Sequence, residues 1–406
     1  MLVDSAHLSY CTNIHAGDGW QEHFDALKTN LPKVKQRLSP DRAFGIGLRI
    51  SNRASHELQS EENFQEFTNW LDDNDMYIFT MNGFPYGEFH HEEVKENVHS
   101  PDWTSTDRLF YTLRLIGILA KFLPDGMDGG ISTSPLSYRR WFKTEETKKI
   151  ATQVATRNII EVVEQLYRIK YVSDKILHLD IEPEPDGLLE TGDEFLNWYH
   201  EYLIPIGRQH FQNKFNLDEG KADEVIKTHV RLCYDVCHFA LGYEDHEEMM
   251  RKLEAEQILI GKFQISAALK ANLPKEPRKR QMVTQAFAEF DEPTYLHQVI
   301  AQTDTGKIRR YKDLPDALAD ADHPDTQDAT EWRAHFHVPV FLSEYELLES
   351  TQQDILKVLD LHKEKRRTAH IEVETYTWNV LPKDLKRPLE DSIIRELTWV
   401  RDELTK

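Results

Sequence analysis

Short strand-like segments alternate with helix-like segments along almost the whole chain, and this alternation constrains the fold more than any other sequence feature. Each strand-like segment is apolar and bounded by turn residues, and apolar residues at helical spacing follow it, as at Leu109, Leu113 and Ile116. The eight predicted strands are residues 8–15, 44–51, 76–84, 129–137, 176–182, 229–240, 261–269 and 370–378. Eight strands separated by helices predict an α/β protein, a (β/α)8 TIM barrel of parallel strands, with a doubly wound open sheet as the alternative.

The chain between the seventh and eighth predicted strands is longer than one helical connection needs. Residues 294–302 and 331–341 have strand-like composition, and an acidic segment rich in turn residues, 313–331, joins them. We interpret this region as an inserted hairpin or as extra strands. The prediction is a single TIM-barrel domain over residues 1–406, with residues 270–343 inserted over the barrel mouth.

Charge and hydropathy narrow the classes of partner. The formal net charge of −21 over 406 residues would repel nucleic acid. The chain has no apolar run long enough to span a bilayer, and its first ten residues lack the basic start and apolar centre of a secretory signal. Cys11, Cys233 and Cys237 lie in apolar segments, which favours reduced thiols over disulfides. We expect a cytoplasmic protein that neither binds nucleic acid nor inserts into a membrane.

Polar residues stand where the predicted barrel strands end. In ILHLDIEPEP, Pro183 cannot donate to a strand ladder, so the fifth strand should end close to Glu182. Functional groups of such barrels lie at the C-terminal ends of the strands. The polar residues at the predicted ends are Asn13, His15, Asn82, Glu182, Asp235, His238, Gln264, Ser266, Glu372 and Glu374. All of them would converge on one opening.

Three of these acids come from three separate strands. Glu182, Asp235 and Glu374 would form an oxygen-rich site suited to a divalent cation such as Mn²⁺, Mg²⁺ or Co²⁺. Without a cation, the clustered carboxylates would repel one another and raise each other's pKa. The alternative is that each acid pairs with an Arg or Lys of the core or loops. The number of acids and histidines at the strand ends favours the metal.

The alternating segment HIEVETYTW places two glutamates on one face of the last strand. Glu374 is nearer the C-terminal end of the strand and is the better metal ligand. Glu372 would lie deeper in the barrel, where a carboxylate needs a partner such as Arg49. We therefore predict a buried ion pair for Glu372.

The segment YDVCHFA suggests zinc at first sight, because two cysteines stand beside a histidine. A C-x3-C pair with one adjacent His lacks the second half of a structural zinc motif. Cys233 and Asp235 would point to the same side of the strand, and His238 lies just beyond it. We predict Asp235 as a ligand and His238 as a ligand or substrate contact; a histidine packed in the core is the alternative.

Further residues are candidates for substrate contacts. His15 and Asn82 stand at strand ends, and Arg139 follows the fourth strand, where it could clamp a phosphate or carboxylate; a surface arginine is the alternative. His335 and His337 in HFHVP share one face of a short strand in the insertion, which suits a metal or a hydroxyl-rich ligand. A plain surface hairpin is the alternative for these histidines.

The order of the site groups resembles the xylose-isomerase-like TIM barrels, the sugar phosphate isomerase/epimerase superfamily. These groups are Glu182, Asp235 with His238, Gln264 and Glu374. A narrower similarity, to the EboE-type metabolite traffic proteins, is carried by the segments YCTNIHAGDGW, MNGFPYGEFH, LDIEPEP, YDVCHFA, FQIS, HFHVP and HIEVETYTW. The segments are spread over nearly the whole chain.

The resemblance implies a metal-dependent isomerase or epimerase. A divalent ion, Mn²⁺, Co²⁺, Mg²⁺ or Zn²⁺, would be held by Glu182, Asp235, Gln264 and Glu374, and the two glutamates would transfer the proton. His238 would contact substrate oxygens. Many superfamily members have His in place of Gln264, which weakens the case for zinc. The resemblance also implies a sugar-like or cyclitol substrate, phosphorylated or not, and partner proteins of the same metabolite pathway.

Two other functions fit the same sequence features. A metal hydrolase would use the cation to activate water, whereas an isomerase would use it to stabilise an enediolate. A non-catalytic metabolite carrier or scaffold would keep the pocket without the chemistry. Exchange of carbon-bound hydrogen with solvent separates the first alternative from an isomerase, and tolerance of Glu182→Gln identifies the second.

Overall fold

Eight parallel strands lie side by side in the order in which they occur along the chain. The structure, a computed structural model, describes residues 1–87, 94–381 and 387–406, so the last three residues of the segment MNGFPYGEFH lie outside it. The barrel strands, first to eighth, are Ala6–Tyr10, Phe44–Arg49, Met76–Asn82, Gly129–Thr133, Leu177–Ile181, Val230–Asp235, Ile260–Ile265 and His370–Val373. The eighth strand pairs with the first, and a parallel bridge between Cys11 and Gly47 joins the first to the second. This closure confirms the (β/α)8 barrel and excludes the open sheet.

The barrel strands are buried on both faces because side chains fill the barrel inside and helices cover it outside. The fifth strand ends at Ile181, one residue before Glu182 and two before Pro183, as predicted. The predicted sixth strand is too long: it ends at Asp235, and the apolar residues that follow form the helix Val236–Leu241. The carboxylate of Asp235 caps this helix by accepting a hydrogen bond from the His238 backbone N–H at 3.1 Å.

Helices connect the barrel strands. The longest helix shows how the sequence determines where a helix begins and ends. Glu145–Ser173 begins after Thr144, whose hydroxyl accepts from the Thr147 N–H, and ends before Asp174 in the left-handed conformation. The α-helices are Trp20–Leu38, Asn52–Glu57, Glu61–Asp73, Thr106–Phe122, Glu145–Ser173, Gly192–Trp198, Ile204–Phe215, Glu219–His229, Val236–Leu241, His246–Ala255, Pro277–Ala288, Leu314–Asp320, Gln352–Glu364 and Leu389–Thr405. Among the described residues, no helix has the length and apolar character that crossing a bilayer requires.

A second sheet is inserted between the seventh and eighth barrel strands. Its strands, from edge to edge, are Ile308–Tyr311, Val299–Thr303, Ala329–Val338, Ala267–Asn272, Leu348–Ser350 and Glu344–Tyr345. The pairings are antiparallel, and they confirm an insertion with extra strands at this place in the chain. The acidic segment 313–331, predicted as a loop, contains the helix Leu314–Asp320. Treating 270–343 as one inserted unit stays a prediction.

The interior of the barrel is polar below the mouth, because glycines leave space for charged side chains. A Cβ atom at Gly47 would collide with the carboxylate of Glu372. The buried ion pair predicted for Glu372 is confirmed, but its partner is Lys262 and not Arg49: Lys262 Nζ on the neighbouring strand lies 2.5 Å from Glu372 Oε2, and both side chains are fully buried. The guanidinium of Arg49 instead donates to the backbone carbonyl of Gly87.

Candidate metal centre

Three carboxylates converge at the C-terminal end of the barrel. Glu182 follows the fifth strand, Asp235 ends the sixth and Glu374 follows the eighth. One oxygen atom from each lies within 4.8 Å of the others, and all three side chains are buried. The structure therefore brings together the three acids that the sequence placed at strand ends.

Gln264 on the seventh strand lies in the centre of these carboxylates. Its amide nitrogen is 3.2 Å from Glu182 Oε1 and 3.4 Å from Asp235 Oδ2, and it also contacts Glu374. The amide oxygen accepts from the thiol of Cys233. In this orientation Gln264 is a hydrogen-bond donor to the carboxylates, and a metal-ligand role requires that the amide group be reversed.

Other side chains orient the carboxylates by donating hydrogen bonds to them. Asn13 and Asn82 both donate to Glu374 Oε1, at 2.7 Å and 2.9 Å. The hydroxyl of Ser266 donates to Asp235 Oδ1 at 2.7 Å. Glu182 Oε2 has no hydrogen-bond partner in the described part of the chain. A buried carboxylate oxygen in that state is a good candidate for binding a cation.

Burial and mutual repulsion keep protons on the cluster. Burial, followed by the charge of Asp235, raises the pKa of Glu374 to about 8. Burial and the neighbouring charges of Glu374 and Asp235 raise the pKa of Glu182 well above its ordinary range. The two glutamates therefore do not both ionise at neutral pH. A divalent cation bound among them would have to displace protons.

Four histidines line the same cavity, and the rings of three of them, His238, His335 and His337, lie beside one another. His238 and His335 face each other with their Nε2 atoms 3.1 Å apart. His337 donates from Nδ1 to the Glu374 carbonyl at 2.8 Å, and its buried Nε2 has no hydrogen-bond partner among the described residues. His335 and His337 come from the inserted sheet, so the insertion contributes part of the cavity wall.

Some cavity residues had no predicted role. Glu184 and His99 line the cavity and form a buried pair, with His99 Nε2 2.9 Å from Glu184 Oε1. Gln298, the residue before the inserted strand Val299–Thr303, also lines the cavity, and its Oε1 lies 2.8 Å from His335 Nδ1. Glu184 has a sequence signal, because it stands two residues after Glu182. His99 and Gln298 have none, since neither stands at the C-terminal end of a barrel strand.

Two predicted substrate contacts are not among the residues that line this cavity. The ring of His15 is turned to the Tyr10 hydroxyl, 2.8 Å from its Nε2. The guanidinium of Arg139 lies 2.6 Å from Glu194 Oε2 and also donates to the Gly187 carbonyl. Nearby partners thus engage both side chains. The structure gives no support to the prediction that His15 and Arg139 contact the substrate. Asn82, by contrast, lies in the cavity wall.

Neither a protein-family model nor a curated protein matches this chain. Several solved structures resemble it over nearly its full length. One is a xylose isomerase-like TIM barrel protein from Mycobacterium smegmatis in complex with magnesium, at 12% identity and a TM-score of 0.49, covering 98% of this chain and 96% of that one. Another is the probable 3-DHS dehydratase AsbF involved in petrobactin synthesis from Bacillus anthracis, at 11% identity and a TM-score of 0.46, with 97% of each chain covered.

A further solved structure is an IOLI protein with a binding zinc atom, at 11% identity and a TM-score of 0.46, covering 98% of each chain. Identities and TM-scores this low leave the chemistry of the present chain open. The assignment of the barrel rests on the order and closure of its own strands.

Proposed function

We propose that this protein is a metal-dependent isomerase or epimerase of a sugar-like or cyclitol small molecule. The observation that carries the proposal is geometric: Glu182 and Glu374, from two different strands, face one cavity beside a third buried carboxylate, Asp235. From two sides of the cavity, one carboxylate could remove a proton from the substrate and the other return it, which is what moving hydrogen between two carbons or two faces of one carbon requires.

The residues present fit a divalent cation. Glu182, Asp235 and Glu374 supply oxygen atoms within 4.8 Å of one another, and the unpartnered Oε2 of Glu182 adds a further oxygen. Gln264 would join them with its amide reversed. Hard cations such as Mg²⁺ or Mn²⁺ prefer such oxygen ligands, and Co²⁺ or Zn²⁺ are also compatible with carboxylates. When bound, the cation supplies positive charge that stabilises negative charge developing on substrate oxygens.

The chain's own side chains would position the substrate and the proton. Asn13 and Asn82 hold Glu374 through one oxygen, which fixes the direction of its carboxylate. His238 and His335 present ring nitrogens to the same cavity, where they can bond to substrate hydroxyl groups. His335 and His337 of the inserted sheet line this cavity, so the insertion would limit the access of water to the carboxylates.

The resemblance to EboE-type proteins supports a place in a metabolite traffic pathway. Under this proposal the substrate is a cyclitol or sugar-like intermediate, phosphorylated or not, and the protein acts in the cytoplasm. Other proteins of that pathway are proposed as partners. The metal hydrolase and the non-catalytic carrier remain the rival functions, since they would use the same cavity.

The test is exchange of carbon-bound hydrogen with solvent. Metal-loaded protein is incubated in D₂O with a panel of sugars, cyclitols and their phosphates, and deuterium in the substrate is followed by NMR. We expect substrate-dependent exchange without hydrolysis, reduced about 10²–10⁴-fold in Glu182→Gln and Glu374→Gln. Hydrolysis without exchange would favour the hydrolase.

Glu244→Gln is the matched control. Burial raises the pKa of Glu244 to about 7, and this side chain accepts from the Gly192 N–H at 2.9 Å outside the cavity. It should retain wild-type exchange. Binding of a panel compound without exchange or hydrolysis, unchanged in Glu182→Gln, would indicate a carrier.

A further inference from the structure

A second group of metal-ligating side chains lies at the N-terminal end of the barrel. Asp128 immediately precedes the fourth strand, His178 is the second residue of the fifth strand, and His370 is the first residue of the eighth. One donor atom from each lies within 4.8 Å of the others. The proposed isomerase reaction uses none of these residues.

The spacing of the donor atoms suits a bound cation. His178 Nε2 lies 3.6 Å from Asp128 Oδ2, and His370 Nε2 lies 3.4 Å from Asp128 Oδ1. Ligands held at about 2.0–2.1 Å in a tetrahedral site are separated by about 3.4 Å. The two imidazole rings stack with centroids 5.5 Å apart, so both present Nε2 to the same carboxylate.

The histidine nitrogens that face this group lack other partners. Neither ring nitrogen of His370, nor Nε2 of His178, has a hydrogen-bond partner within the described part of the chain. Both rings are fully buried. Buried imidazole nitrogens are normally hydrogen-bonded, and the two Nε2 atoms here face the carboxylate of Asp128 instead.

A buried carboxylate supports His178 from behind. Asp180 Oδ1 lies 2.5 Å from His178 Nδ1, and its other oxygen has no hydrogen-bond partner among the described residues. A Cβ atom at Gly261 would overlap this carboxylate, so the seventh strand leaves space for it. A carboxylate that accepts from Nδ1–H leaves the lone pair on Nε2, which is the usual support of a metal-binding histidine.

We infer that Asp128, His178 and His370 form a binding site for a divalent transition cation of the Zn²⁺ class. Two imidazoles and one carboxylate favour Zn²⁺, Co²⁺, Fe²⁺ or Ni²⁺ over Mg²⁺ and Ca²⁺. The side chain of Asp128 is 27% exposed, which provides access from solvent. A cation there joins residues of three barrel strands or their entry points, and its role is to hold this end of the barrel together.

Arg231 sets the charge balance of the site. Its guanidinium donates to Asp128 Oδ2 at 2.8 Å, and its positive charge opposes a cation. The carboxylates of Asp128 and Asp180 carry two negative charges against this single positive one. Because Arg231 engages Oδ2, Asp128 Oδ1 stays available to the cation on the side of His370.

The test is a Co²⁺ titration of the full chain after removal of metal with a chelator, followed by visible absorption and by calorimetry. The parent protein for the titration is the Glu374→Gln variant, in which the carboxylate centre at the other end of the barrel should bind little Co²⁺. We expect one equivalent of Co²⁺ with imidazole-type absorption. Asp128→Asn or His370→Gln should abolish it, and Asp180→Asn should weaken binding about 10–100-fold.

His229→Gln is the matched control, because His229 is a buried histidine next to the sixth strand that bonds to the Leu177 carbonyl. It should bind Co²⁺ as the parent does. If His370→Gln does not fold, the partly exposed Asp128→Asn still decides the question. No Co²⁺ uptake by the parent, or uptake unchanged by Asp128→Asn, would overturn the proposal and leave Asp128 as the ion-pair partner of Arg231.

Discussion

The two ends of the barrel collect metal-ligating residues of different chemistry. At the C-terminal end, three carboxylates are buried among amide and hydroxyl donors, and histidines of the inserted sheet close the cavity. At the N-terminal end, two imidazoles share one carboxylate that reaches solvent. Oxygen ligands suit hard cations that assist reactions of hydroxylated substrates, whereas imidazoles suit transition cations. Under our two proposals, the first end carries out the chemistry and the second end stabilises the barrel.

A buried ion pair, Lys262 with Glu372, joins the seventh and eighth strands inside the barrel. Lys262 contacts Glu372 Oε2 at 2.5 Å and donates to the Ser132 hydroxyl at 3.0 Å. The charge of Lys262 lowers the pKa of both Glu182 and Glu374, against the larger effects of burial and neighbouring acids. The charge of this ion pair therefore interacts with the carboxylates at the C-terminal end.

Loss of that lysine should have the largest effect on stability. Lys262→Met leaves the buried carboxylate of Glu372 without a cation, and we expect the free energy of unfolding to fall by about 3–5 kcal/mol. Urea denaturation measures it. Lys33→Met, which removes an exposed pair with Glu390, is the control and should cost less than about 1 kcal/mol. An equal loss of unfolding free energy in the two variants would show that the buried ion pair stabilises the fold no more than an exposed one.

The C-terminal end should also dominate the pH dependence of stability. Burial and Asp235 raise the pKa of Glu374 from 4.5 to about 8, so folded protein holds a proton there that the unfolded chain has lost. In metal-free protein, this stability is present below about pH 4.5 and is lost as pH rises to about 8. Urea denaturation between pH 5 and pH 8.5 should show a shallower decline in Glu374→Gln than in wild type.

The N-terminal end of the barrel should not contribute to this pH dependence of stability. Burial alone would raise the pKa of Asp128, but the neighbouring rings of His178 and His370 hold it below its ordinary range. Asp128 is therefore ionised throughout the range from pH 5 to pH 8.5. Asp128→Asn should change the free energy of unfolding by the same amount at each pH and leave its slope against pH unchanged. Glu396, whose pKa burial also raises to about 8, contributes equally to all these variants. A slope that does not respond to Glu374→Gln would contradict the assignment.

A smaller effect is expected from the histidines of the inserted sheet. His335→Gln removes a ring nitrogen that faces His238 in the cavity, so KM should rise about tenfold while kcat changes little. The exchange assay measures both constants. His297→Gln is the control, since this neighbouring histidine bonds to the His335 carbonyl and to Glu292. A loss of kcat with KM unchanged would instead place His335 in the chemical step.

The smallest effect is expected at the rim. Arg139→Ala should leave kcat/KM within about twofold of wild type, because Glu194 and the Gly187 carbonyl already engage this guanidinium outside the cavity. The same exchange assay checks it. A rise in KM confined to phosphorylated substrates would restore the predicted phosphate contact.

The barrel and its carboxylate end could be predicted from sequence because local patterns determine them. Short apolar runs mark the strands, Pro183 ends the fifth one, and period-two alternation separates Glu374 from Glu372. Since all parallel strands end at one face of a barrel, residues at strand ends must meet. Glu182, Asp235 and Glu374 could therefore be placed together without knowledge of any contact.

The remaining features depend on contacts between distant strands. Lys262, not Arg49, is the partner of Glu372, because the adjacent seventh strand supplies the cation and the second strand, two places away, does not. The group of Asp128, His178 and His370 has no local signal, since it joins the starts of strands far apart in sequence. The helix after Asp235 is hidden in an apolar run that is equally compatible with a strand.

Metal content tests the central claim most directly. Wild type, Glu374→Gln and Asp128→Asn are purified without a nickel column, and the metal bound per chain is measured by mass spectrometry before and after incubation with Mn²⁺, Mg²⁺, Co²⁺ or Zn²⁺. We expect two equivalents in wild type and one in each variant, with the hard cation lost in Glu374→Gln and the transition cation lost in Asp128→Asn. A wild-type protein that takes up no divalent ion at all would contradict the account of both ends.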